Sequence, residues 1–209
     1  LLAASDTGTS NSDNITNASS LQFQVSGVTS GAIVRLYEGT NVLAQTTASG
    51  ATATITFNNI ATLGEGPHNF TVSQAVNSVE SAKSSALTVT YDATPPGGFS
   101  STAPTTGSVG TLYSDDAENA TPNTGLHYSL SPGLTGASIN SSTGVVSWIP
   151  ADNQTGVQAY GIVASDPAGN AVTQNVNVTI DQPVAKVAEL VLTTTDFNQV
   201  PISTLHVGD

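Results

Sequence analysis

From Leu21 to Tyr91, apolar side chains recur at every second position in short runs, and clusters of Gly, Asn and Ser separate one run from the next. The runs are Leu21, Phe23 and Val25; Val34 and Leu36; Ala53, Ile55 and Phe57; Phe70 and Val72; and Leu87, Val89 and Tyr91. A period of two turns alternate residues to one face, so each run predicts a strand with one buried side. The turn signals return about every ten residues, the spacing of short antiparallel strands. None of the runs approaches the roughly 18 apolar residues a membrane span requires, so no membrane insertion is expected.

The rest of the composition agrees. Ser and Thr supply 55 of the 209 residues and charged residues only 9%, which favours strands and leaves helix almost absent. About six or seven strands over roughly 90 residues predict an immunoglobulin-like Greek-key sandwich. After Tyr91 the sequence reads Asp92-Ala93-Thr94-Pro95-Pro96-Gly97-Gly98, where two prolines and two glycines forbid a central strand and mark a boundary. A second strand series follows: Val109 to Tyr113, Leu126 to Leu130, Val145 to Trp148, Gly161 to Ala164 and Val172 to Ile180. After Asp181-Gln182-Pro183, Ala188 to Leu192 predicts one more strand. The expected architecture is therefore all-β, a tandem of immunoglobulin-like or cadherin-like sandwiches. One spans residues 1–96 and one 97–182, with the first strands of a truncated third module at 183–209. Each module of such an array touches only its neighbours in the same chain.

Charge narrows the partners. Three basic residues, Arg35, Lys83 and Lys186, stand against fifteen acidic ones, for a net charge of −12. Nucleic acid and anionic membrane surfaces are repelled, and divalent cations are the natural partner. Cysteine is absent, so there is no disulfide framework and no thiolate metal site. The three histidines, His68, His127 and His206, have no paired or HExxH spacing, and no nucleophile elbow or phosphate loop is present. An enzyme is not expected.

Calcium takes six to eight oxygen ligands from carboxylates, amides, carbonyls and water, so oxygen-rich loops are its candidate sites. Asp6 and Asp13 flank a Gly-, Ser- and Asn-rich loop, and Asp92 and Asp181 stand at the two predicted module junctions. Asp115, Asp116, Glu118 and Asp166 are candidates to converge at one end of the second unit, where such crowding of like charge requires a cation. The alternatives are plain solvated loops, or, for Asp92, a turn-capping role at the Pro-Pro linker. A carbohydrate-binding or spacer module attached to a secreted polysaccharide-degrading enzyme is the rival reading. It needs exposed aromatic rings, whereas Trp148 and most of the ten Phe and Tyr residues fall on predicted core faces.

The segment Asp6-Thr7-Gly8-Thr9-Ser10-Asn11-Ser12-Asp13-Asn14-Ile15-Thr16-Asn17 resembles the opening motif of bacterial Ig-like repeats in giant adhesins and biofilm proteins. The resemblance continues through Val34 to Gly39, Leu63 to Phe70 and Asp92 to Pro96. The second unit resembles the dystroglycan-type cadherin-like (putative Ig) repeat of large bacterial surface proteins through Leu126 to Leu130, Ala137 to Asn140, Thr143 to Pro150 and Asp166-Pro167-Ala168-Gly169-Asn170. It departs from that pattern at Asp115-Asp116-Ala117-Glu118, where a compact Asp-X-Asp segment is usual. The resemblance implies a secreted or cell-surface adhesive segment organised by calcium, with a cell-surface protein or glycan as a further partner. It also implies that the Asp6 loop is completed by an aspartate from a preceding module.

Overall fold

The computed structural model describes residues 1–119, 125–131 and 134–183. It is a tandem of β-sandwiches with two short 3-10 turns, Ala3–Ser5 and Ile60–Leu63, among the described residues. The first sandwich contains β1 (Ile15–Thr16), β2 (Ser20–Ser26), β3 (Ile33–Glu38), β4 (Asn41–Thr47), β5 (Thr52–Asn58), β6 (Gly66–Val76), β7 (Val79–Glu80) and β8 (Leu87–Tyr91). One sheet has the order β1-β8-β6-β3-β4, with β7 hairpinned onto β6, and β2 pairs with β5 in the other. The alternation in β5 is complete: Ala53, Ile55 and Phe57 are buried and the residues between them exposed. Leu21, Phe23, Leu36, Ile55, Phe57, Phe70, Val89 and Tyr91 form the main core, and the Phe23 and Phe70 rings pack tilted at 5.1 Å. β4 does not follow the apolar alternation, because a bulge between Leu36 and Tyr37 shifts its register against β3.

The second sandwich contains β9 (Thr106–Ser108), β10 (Tyr113–Asp116), β11 (His127–Leu130), β12 (Ser138–Ile139), β13 (Val145–Trp148), β14 (Gly156–Ser165) and β15 (Ala171–Asp181). Its sheets are β10-β13-β12 and β11-β14-β15-β9. Trp148 is buried at its centre, with the Tyr113 ring edge-on at 6.1 Å. The strand expected at Val109 to Tyr113 is displaced: Gly110 adopts φ +71° in a turn, Leu112 is exposed, and the strand starts at Tyr113. Once Tyr113 faces the core, alternation puts Asp115 inside and Asp116 outside. The expected strand at Ala188 to Leu192, and with it all but Pro183 of the expected third module, lies outside the described residues.

Candidate functional site

The two sandwiches meet through two loops. Asp6 to Asn17 leads into β1, and Asp166 to Asn170 joins β14 to β15. The second loop is shaped by Asp166, whose Oδ1 accepts from the backbone amides of Gly169 (2.8 Å) and Asn170 (2.9 Å). The Asn170 amide is then fully used. Its Nδ2 donates to Asp166 Oδ2 (3.0 Å) and to the Asp92 carbonyl (2.9 Å), and its Oδ1 accepts from Asn17 Nδ2 (3.0 Å). Thr7 has one hydroxyl proton, and its shortest contact, 2.7 Å, gives that proton to the Ala168 carbonyl. Its oxygen accepts from the Asn17 amide (2.9 Å). Beneath these bonds the backbones touch: a Cβ on Gly8 (φ +93°) would lie 1.9 Å from the Pro167 carbonyl oxygen, and one on Gly169 (φ +95°) 2.9 Å from Gly8 N and Cα. Only a glycine pair permits this approach.

Asp6 stands two residues before Gly8. It is 5% exposed, and its Oδ2 accepts from the Asn14 amide at 3.1 Å while the buried Oδ1 has no partner among the described residues. Such a buried, unpaired carboxylate oxygen costs free energy unless a proton or cation meets it. Asp13 is exposed and caps its own turn, accepting from the Ile15 amide at 3.0 Å. β1 runs parallel to β8 with Thr16 opposite Tyr91, so Asp92 lies level with Asn17 at the junction. Its Oδ1 accepts from the Thr94 amide (3.0 Å), the turn-capping role, while Glu65 holds the linker by accepting from Thr94 Oγ1 and the Ala93 amide. Residues 1–93 match a family model.

That family is the bacterial Ig-like domain. No curated protein matches the chain. Among solved structures, murine CEACAM1b is similar with a TM-score of 0.41 and 10% identity over 80% of this chain and 94% of that one. An endo-fucoidan hydrolase of glycoside hydrolase family 107 gives 0.34 and 16%, covering 79% of this chain and 24% of the hydrolase. Mouse cadherin-23 EC22–24 gives 0.32 and 20%, over 73% of this chain and 54% of that one. The chain therefore spans about a quarter of the hydrolase and about half of the cadherin fragment.

Beyond residues 1–93, the acidic candidates of the second sandwich do not gather. Asp115 is 2% exposed in the core, where Tyr160 donates to its Oδ2 at 3.0 Å, and the Tyr160 and Tyr113 hydroxyls meet at 2.9 Å. Asp116 and Glu118 are exposed, Asp166 is consumed by its own loop, and Asp181 is exposed at the far end of β15. Among the described residues no three His, Cys, Asp or Glu side chains form a metal-binding group. Burial pushes the Asp115 carboxyl above its usual range, against the opposing Tyr160 bond and with a further push from Asp116. A raised folded value means that the fold prefers the protonated acid, so its stabilising effect is lost as pH rises through that value. Asp115→Asn is accordingly expected to raise the melting midpoint of the second sandwich at neutral pH and to flatten its pH dependence, read by the fluorescence of Trp148, the only tryptophan of the chain.

The sequence reading missed Thr7, Gly8, Asn17, Gly169 and Asn170 as junction residues, although both loops carried recognisable motifs. What it lacked was their pairing, since Asn17 and Asn170 are 153 residues apart. Asn170→Asp replaces two donors with a carboxylate facing the Asp166 carboxylate and the Asp92 carbonyl. Calorimetry is expected to show a loss of about 2–3 kcal/mol, the cost of stripping a buried charge of its hydrogen-bond donor.

Proposed function

We propose that this chain is a non-catalytic structural and adhesive segment of a large extracellular protein, in which calcium stiffens the junction between a bacterial Ig-like domain and a dystroglycan-type cadherin-like repeat. One observation carries the reading: the buried Oδ1 of Asp6, without a partner among the described residues, beside a glycine-packed, hydrogen-bonded contact between the sandwiches. Calcium fits an all-oxygen donor set, in which Asp6 would be the buried carboxylate and carbonyl and amide oxygens of its loop would complete the coordination. An ion held there removes hinge freedom from the linker and stabilises the fold by mass action. The rival sugar-binding reading receives no support from the aromatic residues: Trp148 and all five tyrosines are buried, with exposures of 8% or less.

The test is calcium titration by calorimetry, with melting curves in calcium and in chelator. Calcium at about 100 times its dissociation constant is expected to add about 2.7 kcal/mol, a rise on the order of 10 °C in the first transition. Asp6→Asn is expected to abolish most of that rise. Identical curves in calcium and chelator would sink the calcium reading.

A further inference from the structure

The edge of the larger sheet in the first sandwich is β4, which pairs with β3 and with no other strand among the described residues. Its outer edge therefore presents backbone donors and acceptors to solvent. Edge strands are commonly guarded by charged side chains, especially lysine, or by proline. This one has neither: from Gly39 to Gly64 the sequence carries no Asp, Glu, Lys, Arg, His or Pro. Its only guard is the bulge, which leaves Leu43 and Ala44 packed on the core while Val42, 52% exposed, and Gln45 and Thr47 face solvent.

The surroundings of the edge say what it accepts. The chain carries a net charge of −12, so two copies repel each other over most approaches. Beside β4 the charges balance, with Arg35 and Lys83 against Glu80 and Glu38. Arg35 on the neighbouring strand β3 reaches Glu80 at 3.2 Å, and Lys83, from the segment between β7 and β8, sits 3.9 Å over the Tyr37 ring of β3 while donating to the Gly39 carbonyl at 2.7 Å. Both are already engaged, so they leave the local charge balanced and form no anion site. A strand edge is also self-complementary about a two-fold axis, because antiparallel pairing of a strand with its own copy satisfies both edges alike.

We infer that β4 is a homophilic docking edge, on which the β4 of a second copy of this chain adds in antiparallel register to join two five-strand ladders into one continuous sheet. The inference deepens the adhesive part of the function proposed above by naming the partner. It makes no use of calcium, so the two fail separately.

Sedimentation velocity of the 209-residue chain, in calcium and in chelator, from about 10 μM to about 1 mM, covers the affinities of small transient contacts. The expected result is a reversible dimer in both conditions that tightens as NaCl is raised, because salt screens the repulsion between copies. The double substitution Val42→Lys/Gln45→Lys restores edge guards at exposed positions and is expected to weaken the dimer at least tenfold with the melting curve unchanged. Val79→Lys, at a 74% exposed position on β7, is expected to leave it intact. A chain monomeric throughout overturns the inference, as does a dimer insensitive to the β4 lysines or equally sensitive to Val79→Lys. A dimer that loosens with salt and is lost in Arg35→Gln overturns it too, and points to ion pairing through the cationic face.

Discussion

Gly8→Ala is expected to release the two sandwiches from each other while leaving each folded. The added methyl has no room, since its position is 1.9 Å from the Pro167 carbonyl oxygen, and Gly8 holds a φ of +93° that alanine rarely adopts. Neither neighbour yields easily, because the atom it strikes is backbone in a loop tied down by Asp166. The loops must separate, and three cross-junction bonds go with them: Thr7 to Ala168, Asn17 to Asn170 and Asn170 to Asp92. At about 0.5–1.5 kcal/mol each, their loss amounts to a few kcal/mol of coupling, enough to turn a fixed angle into a broad distribution. Nuclear relaxation measurements are expected to report one tumbling time for the wild type and two for the variant. Gly136→Ala, with a similar φ of +83° and nothing within 4 Å of the added carbon, carries the backbone strain without the clash and is expected to keep the junction fixed.

Trp148→Ala is expected to cost the second sandwich about 3–5 kcal/mol, the range for removing a large aromatic side chain from a close-packed core. Trp148 is 1% exposed and faces Tyr113 across the β10–β13 ladder. Its removal also leaves the Tyr113–Tyr160–Asp115 chain without the ring that walls it off. Loss of a comparable fraction of a domain's whole stability means that calorimetry is expected to show the second transition falling by on the order of 15–25 °C or vanishing, with the first transition retained. Loss of both transitions together would show that the sandwiches fold as one unit.

The two sandwiches were legible because their cores obey period two. β2, β5 and β8 bury Leu21, Phe23, Ala53, Ile55, Phe57, Val89 and Tyr91 as the alternation requires. β4 was not legible, since an edge strand with a bulge has no fixed buried face to write into its sequence. Around residue 110 the apolar run Val109 to Tyr113 imitated a strand, but the positive φ of Gly110 turns the chain there and leaves Leu112 outside. Asp115 read as one of several loop acids because its partner, Tyr160, is 45 residues away. Asp92 was readable as a linker residue from position, but the Asp6 loop, expected to be completed by a preceding module, lies instead against the Asp166 loop, whose clasp emerged only with Gly169 and Asn170 folded around Asp166.

The proposed junction is held rigid by the glycine-packed clasp and stiffened further by calcium. Residual dipolar couplings on the 209-residue chain, recorded in calcium and again in chelator, measure it directly. In calcium one alignment tensor is expected to fit both sandwiches, and in chelator the tensor magnitudes of the two are expected to diverge as the linker gains freedom. Separate tensors in calcium would contradict the rigid junction, and a single unchanged tensor in both conditions would contradict the part assigned to the ion.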